Sequence, residues 1–525
     1  MARPLLRSLA TVSGLTLVSR LFGFGRQMLL AGVLGASGNP VADAFWAAFR
    51  LPNMFRRLLA EGAFQAAFVP LFQGAEARGG YEEAKRFAED ILAWLIFILT
   101  VLSALFMIFT PSMIWLIAYG FRDDPERFQL TTFYTRIMFP YLACMSLVGL
   151  YGGMLNALHR FAAAAAAPIL LNVALIAGLL WVRNEDADTV GFVATCSVMA
   201  GGVLQLLALT WAARRSNLLL RLRLPRFTKA ARRMVALGTP GFIGAGALQV
   251  NAVVGTNVAS REAGAVSWLT YADQLYQLPL SMIGIALGVV LMPAIGRAVK
   301  AGDEAGARRT LSAGVETAML FTLPAAAALA AMPGFVSEVL YDDLPALIVG
   351  RSRFNETDVA MVGLALAIYA FGLPAFVMQK VMASAFFARE DTKTPMRFAL
   401  TAIAINAILS IALFPVVGFV SVPIGTIAAA WTEVSLLAAT LVRRGVLRSS
   451  AQLLTRLGRM LALAAALAFA LRVLVARQDV VLPYFLGQPW LLLLVAAGAG
   501  AVGYLALAVA TGAMPLRALR SGGLA

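Results

Sequence analysis

Long apolar runs recur along the whole chain, separated by short polar segments. The runs long enough to cross a bilayer fall at 8–33, 42–72, 87–110, 132–158, 162–182, 190–212, 234–260, 266–296, 309–332, 357–388, 396–415, 418–442, 456–476 and 489–513. A transmembrane helix needs about 20 predominantly apolar residues, so the pattern predicts about fourteen helices. The second run is longer than a straight crossing needs and contains Pro52, Gly62 and Pro70, which predicts a bent helix.

Composition agrees with this reading. Of 525 residues, 60% are hydrophobic and only 13% charged, with mean hydropathy +0.81, whereas soluble domains carry about 25% charged residues. The expected fold is an all-α polytopic membrane protein. The net charge of +16 belongs with topology. The loop from Arg214 to Arg233 is basic, while Asp123, Asp124, Glu185, Asp186, Asp342 and Asp343 gather in alternate loops. Basic loops stay inside, so both termini are expected in the cytoplasm of a bacterial inner membrane. No soluble basic domain exists to carry nucleic acid, and nucleic-acid binding is rejected. The run after Arg3 and Arg7 is read as a retained first helix, because Arg20 and Arg26 interrupt it.

Other chemistry is thin. Cys144 and Cys196 lie inside apolar runs and are read as packing residues, and the single histidine, His159, sits beside Arg160 in a short turn. No metal site is expected, and there is no G-x-x-x-x-G-K-[ST] phosphate loop. No cofactor is expected, with coupling to the membrane potential or a monovalent ion left open.

A repeat is also legible. Pro52 and Pro279 are 227 residues apart and Pro140 and Pro374 are 234 apart. Two pairs at nearly one offset point to two related six-helix halves, 1–215 and 216–445, followed by two extra helices in 446–525. Such repeats place a transporter's site between the halves, in a central cavity near mid-membrane.

The informative residues are polar ones at membrane depth. The first run carries Ser19, Arg20 and Arg26, and the second carries Asp43, Arg50, Asn53, Arg56, Arg57 and Glu61. An arginine at a helix centre costs about 2.5–3.5 kcal/mol on insertion scales, so the set must face a wet cavity or partners. Asp43, Arg50 and Arg57 recur at seven-residue spacing, two turns apart, and Glu61 follows Arg57 by four. Guanidinium groups outnumbering carboxylates imply an anionic ligand, and phosphate matches their forked donors. The eighth run adds Ser267, Asp273, Gln274 and Gln277 as cavity or gating residues.

The stretch ADAFWAAFRLPNMFRRLLAEGAFQAAFVPLF (42–72) resembles the signature of the MurJ (MviN) lipid II flippase family. SRLFGFGRQ (19–27), LNALHRF (155–161) and FFAREDTKTP (386–395) resemble the same family. The resemblance implies the multidrug/oligosaccharidyl-lipid/polysaccharide exporter fold, with two six-helix lobes and two helices that groove the lipid tail. It implies export of undecaprenyl-pyrophosphate-linked disaccharide-peptide by alternating access, and no catalysis. The family's cavity arginines would correspond to Arg20, Arg26 and Arg56, and its acidic and polar cavity residues to Asp43, Asn53 and Glu61. Arg50 stands where relatives carry a basic residue. Gln274 replaces a common arginine, while Gln277 and Gln27 replace common acids. Partners expected are that lipid-linked substrate and membrane lipids. The oligomeric state stays open, and a monomer is compatible. The alternative is a flippase for another polyprenyl-pyrophosphate-linked oligosaccharide, such as an O-antigen or capsule unit.

Overall fold

The structure is a computed structural model and describes residues 2–59, 63–226, 228–447 and 450–514. Among these, every regular element is helical. The helices are α1 (Ala2–Leu34), α2 (Pro40–Leu59), α3 (Ala63–Ile108), α4 (Thr110–Ile117), α5 (Pro125–Met138), α6 (Tyr141–Ala157), α7 (Phe161–Trp181), α8 (Ala187–Arg215), α9 (Lys229–Ala259) and α10 (Ala265–Lys300). They continue as α11 (Glu304–Ala331), α12 (Pro333–Glu338), α13 (Leu344–Val349), α14 (Glu356–Phe387), α15 (Lys393–Val417), α16 (Ser421–Arg443), α17 (Ala451–Ala476), α18 (Gln478–Val481) and α19 (Pro489–Ala510). By length and composition, ten helical stretches among the described residues suffice to cross a membrane. Large apolar side chains lie on their outer surfaces, as Leu21, Phe97, Trp181, Phe469 and Val502 do. That surface suits lipid, since the backbone polar groups are satisfied within each helix.

Two boundaries differ from the sequence reading, the first being the run 132–158, which begins inside α5 and continues as α6 after a break at Phe139–Pro140. The other is the stretch between the second and third runs, read as a loop, which is helical and joins them within α3. Its Glu, Ala, Lys and Arg residues are good helix formers, and the helix breaks only at Gly79–Gly80, where Gly80 takes φ +70°.

The backbone packs into two compact units. The first comprises Met1–Ser267 with Pro345–Phe354, and the second Trp268–Leu344 with Asn355–Ala525. In the first, α1 packs on α7, α2 on α5, α3 on α6 and α9, and α7 on α8. Phe64, Phe68, Phe72 and Phe87 stack beside Leu150 and Met154 to form its principal core. In the second, α11, α14 and α16 enclose Leu311, Val377, Met378 and Leu437 with Leu291 of α10. There α17 and α19 pack on α11 around Met460, Tyr504 and Ala508.

Helices in lipid associate through close packing, not water exclusion, so small residues set the approach. Gly201 of α8 does this for the site described next. A Cβ at that position would lie 2.7 Å from Leu171 Cδ1 and 2.9 Å from Leu171 Cα of α7. Only glycine lets α7 lie this close, and Asn172 follows Leu171.

Candidate functional site: an intramembrane arginine cluster in the first unit

The site begins with Asn172, the one polar side chain in the 21-residue helix α7. It is buried and bridges to α1 in two directions. Its Nδ2 donates to the Ser19 carbonyl at 3.1 Å. Its Oδ1 accepts from Arg26 Nη1 at 3.1 Å. The first bond fixes the amide, so the second always presents an acceptor to the guanidinium. Gly23 faces the same amide, and a Cβ there would make only an ordinary contact with it at 3.6 Å.

Arg26 is half-buried. Its Nη2 donates weakly to Gln27 Oε1 at 3.4 Å, and its Nε is buried with no hydrogen-bond partner. Buried donors are normally paired. Tyr141 of α6 lies within electrostatic range and favours the cation, while the Arg56 guanidinium of α2, the smaller influence, repels it. Arg56 Nε donates to Asn53 Oδ1 at 3.0 Å, which orients its fork. The structure therefore brings Ser19, Arg26, Asn53 and Arg56 together through α1, α2 and α7. The acceptors in these bonds, Asn172, Gln27 and Asn53, are all neutral amides.

The remaining predicted residues have other surroundings. Arg50 donates from Nη1 to the Ala252 carbonyl at 3.1 Å and to Thr256 Oγ1, so it is engaged with α9. Arg20 and Arg57 are exposed. Asp43 is buried at 1% exposure. It accepts from Gly264 N at 2.7 Å, Ser267 N at 2.9 Å and Ser267 Oγ at 2.7 Å. Arg127 Nη1 stands 3.8 Å from it. Asp43 and Ser267 thus pin α2 to the turn between α9 and α10. In the second unit, Gln277 Nε2 donates to Asp273 Oδ2 one turn back on α10, and Gln274 is half-buried. Glu61 lies outside the described residues. No group of metal-ligating side chains occurs among the described residues.

Sequence reasoning missed Asn172, Arg127 and the Gly264 amide. Asn172 did carry a signal, because a lone strong amide in an apolar helix has to find a partner.

The family model described as "Lipid II flippase MurJ" matches residues 30–493. The chain belongs to the lipid II flippase MurJ family. It is 45% identical over 475 residues to the probable lipid II flippase MurJ of Rhizobium meliloti, covering 90% of this chain and 87% of that protein. It is 33% identical over 455 residues to the lipid II flippase MurJ of Burkholderia cenocepacia, covering 85% of each. Among solved structures, the chain resembles a lipid II flippase MurJ in an inward closed conformation, with TM-score 0.71 and 22% identity over 90% of this chain and 99% of that one. It also shares its fold with an inward-facing multidrug resistance MATE transporter of the MOP superfamily, with TM-score 0.66 and 12% identity over 83% of this chain and 98% of that one. The MurJ match takes in all of α2 with Arg50, Asn53, Arg56 and Arg57, whereas Ser19, Arg20 and Arg26 precede it.

Proposed function

We propose that this MurJ-family protein translocates lipid II, the undecaprenyl-pyrophosphate-linked disaccharide-peptide, from the cytoplasmic to the periplasmic leaflet of the inner membrane. The observation that carries the proposal is Arg26. It stands inside a membrane helix with Nε buried and unpartnered, faced by the like charge of Arg56. A pyrophosphate supplies the missing acceptors and the compensating charge at once. Arg20 and Arg57, exposed on the same two helices, extend the positive surface along which the headgroup enters.

The mechanism we propose is alternating access between lobes 1–215 and 216–445, with both termini cytoplasmic. The headgroup enters from the cytoplasmic leaflet, and Arg26 and Arg56 take its phosphates. The polyprenyl tail stays in lipid or against α17 and α19 of 446–525. Neutralising the mutual repulsion of the arginines favours closure around the headgroup. Asp43 acts as the outer clasp through Ser267 and Gly264, and opening outward requires those bonds to break. Asp273, Gln274 and Gln277 line the second lobe's wall. The chain's residues bind and release without making or breaking covalent bonds in the substrate. An interior-negative potential drives a net anion outward by about 2.3 kcal/mol per charge per 100 mV, so no cofactor is needed.

The test is exposure of lipid-linked precursor on the outer leaflet, in cells that depend on this protein alone. An outside-only cleaving reagent reports the flipped fraction. Arg26→Ala and Arg20→Ala are expected to collapse exposure while precursor accumulates and the protein stays in the membrane. Unchanged exposure on full depletion overturns the lipid II reading in favour of an O-antigen or capsule unit. Unchanged flipping after the potential is dissipated overturns the driving force alone.

A further inference from the structure

A second basic site lies away from the arginine cluster, in a cavity of about 620 Å³ in the first unit. It is bounded by Thr11 and Val12 in the N-terminal third of α1, the turn from α6 to α7, and the end of α8. Three of its lining side chains are His159, Arg160 and Arg215, and none of its lining residues is acidic. Arg160 Nη1 donates to Ser216 Oγ, which ties the start of α7 to the residue that follows α8. Arg215 lies over the Trp211 ring, 4.1 Å from its centroid. Trp211 is itself 57% exposed. His159 takes φ +59°, and its ring meets Phe161 edge-on. Arg160, as the N-cap of α7, gives that helix no side-chain cap, so the first-turn N–H groups add to the positive field that the side chains already make.

We propose that this cavity binds the phosphodiester headgroup of an anionic glycerophospholipid, as a site separate from the substrate cluster. Two arginines and no carboxylate match a monoanion. One is tied to a serine and the other covers an indole, so both guanidinium groups are held in place beside the cavity. Trp211 has the amphipathic ring that settles at headgroup depth. The apolar side chains of Val12, Leu155 and Phe161 receive the first acyl carbons. The ends of α6 and α8 meet here with the basic segment that follows Arg214. On the positive-inside reading this is the cytoplasmic leaflet, where basic pockets between helices take anionic headgroups.

The test uses the purified full chain in a neutral detergent, titrated with short-chain phosphatidylglycerol carrying a brominated acyl chain. Quenching of tryptophan fluorescence reports binding, and Trp211→Phe is expected to remove the saturable component. Arg160→Gln with Arg215→Gln is expected to weaken phosphatidylglycerol at least tenfold, and the corresponding double Lys variant to restore it to within threefold. Brominated phosphatidylcholine is expected to bind weakly to all forms. If the double variant does not fold, Arg215→Gln alone is expected to weaken binding severalfold. Equal binding of the two phospholipids, or unchanged binding in a folded Gln variant, overturns the proposal. Displacement by millimolar inorganic phosphate assigns the cavity to free anions, and tighter competition by undecaprenyl pyrophosphate assigns it to the substrate. Either result overturns it.

Discussion

Two ionisable side chains in the first unit, Asp43 of α2 and Arg26 of α1, have opposite fates. Asp43 is almost fully enclosed and accepts three hydrogen bonds, with Arg127 nearby. Arg26 has one good neutral acceptor, one weak one, a like charge in range and an unpartnered Nε. A charge surrounded by partners holds structure. A charge kept short of partners stores an affinity for something absent. Neither the sign of a residue nor its depth separates staple from site; the count of satisfied donors and acceptors does.

The largest effect expected is from Asp43→Ala. It strands the Gly264 and Ser267 donors and leaves Arg127 only the partly exposed Asp124 as a carboxylate neighbour. Breaking one side of a buried pair costs about 3–5 kcal/mol, so the melting temperature of the purified protein should fall sharply, along with flipping. A variant as stable as wild type would erase the contrast. Next comes Arg26→Ala. Flipping should drop at least tenfold, which is about 1.4 kcal/mol, with the melting temperature unchanged or raised, because an incompletely paired buried cation is removed. Loss of stability comparable to that of Asp43→Ala would make Arg26 a staple too.

Asn172→Asp should come third, and it sharpens the point. A carboxylate beside Arg26 satisfies it internally, so binding of a soluble pyrophosphate-bearing analogue should weaken several-fold more than in Asn172→Leu. Titration calorimetry on the two variants decides the order. The smallest effect concerns a third ionised group, outside the membrane spans. Hydrogen bonds from Arg444 and Thr394 hold the Asp391 carboxyl at about 2, below its usual 3.8. Because the folded value is the lower one, its stabilisation is present above about pH 4 and lost as pH falls towards 2. Melting temperatures from pH 5 to 2 should therefore fall less steeply in Asp391→Asn than in wild type.

Most of the fold was legible because lipid imposes one demand on every helix, a long apolar run, and the chain meets it repeatedly. Where helix and loop share a composition the signal fails. Glu76–Arg86 is charged enough to read as a loop and helix-prone enough to extend α3. The arginines of α1 and α2 were legible as well, since their cost in lipid marks them. Their division of labour was not. Arg50 and Arg56 are six residues apart in one helix, yet one reaches α9 and the other keeps within range of Arg26. Arg50's engagement depends on Ala252 and Thr256, brought in from more than two hundred positions away. A heptad spacing along one helix contains none of that.

The short segment Pro345–Phe354 belongs to the first unit although the chain on either side of it belongs to the second. Arg353 donates its backbone N–H to the Gly32 carbonyl at 2.7 Å and Nη1 to the Val33 carbonyl at 2.8 Å. Arg351 closes on the carbonyls of Arg183 and Glu185. The end of α1 is thus completed by residues made 320 positions later. At synthesis rates of about 5–20 residues per second, the first helix waits on the order of 15–60 seconds in the membrane before its last partners exist. During that interval α7 already packs on α1, and the carbonyls at the end of α1 are what wait.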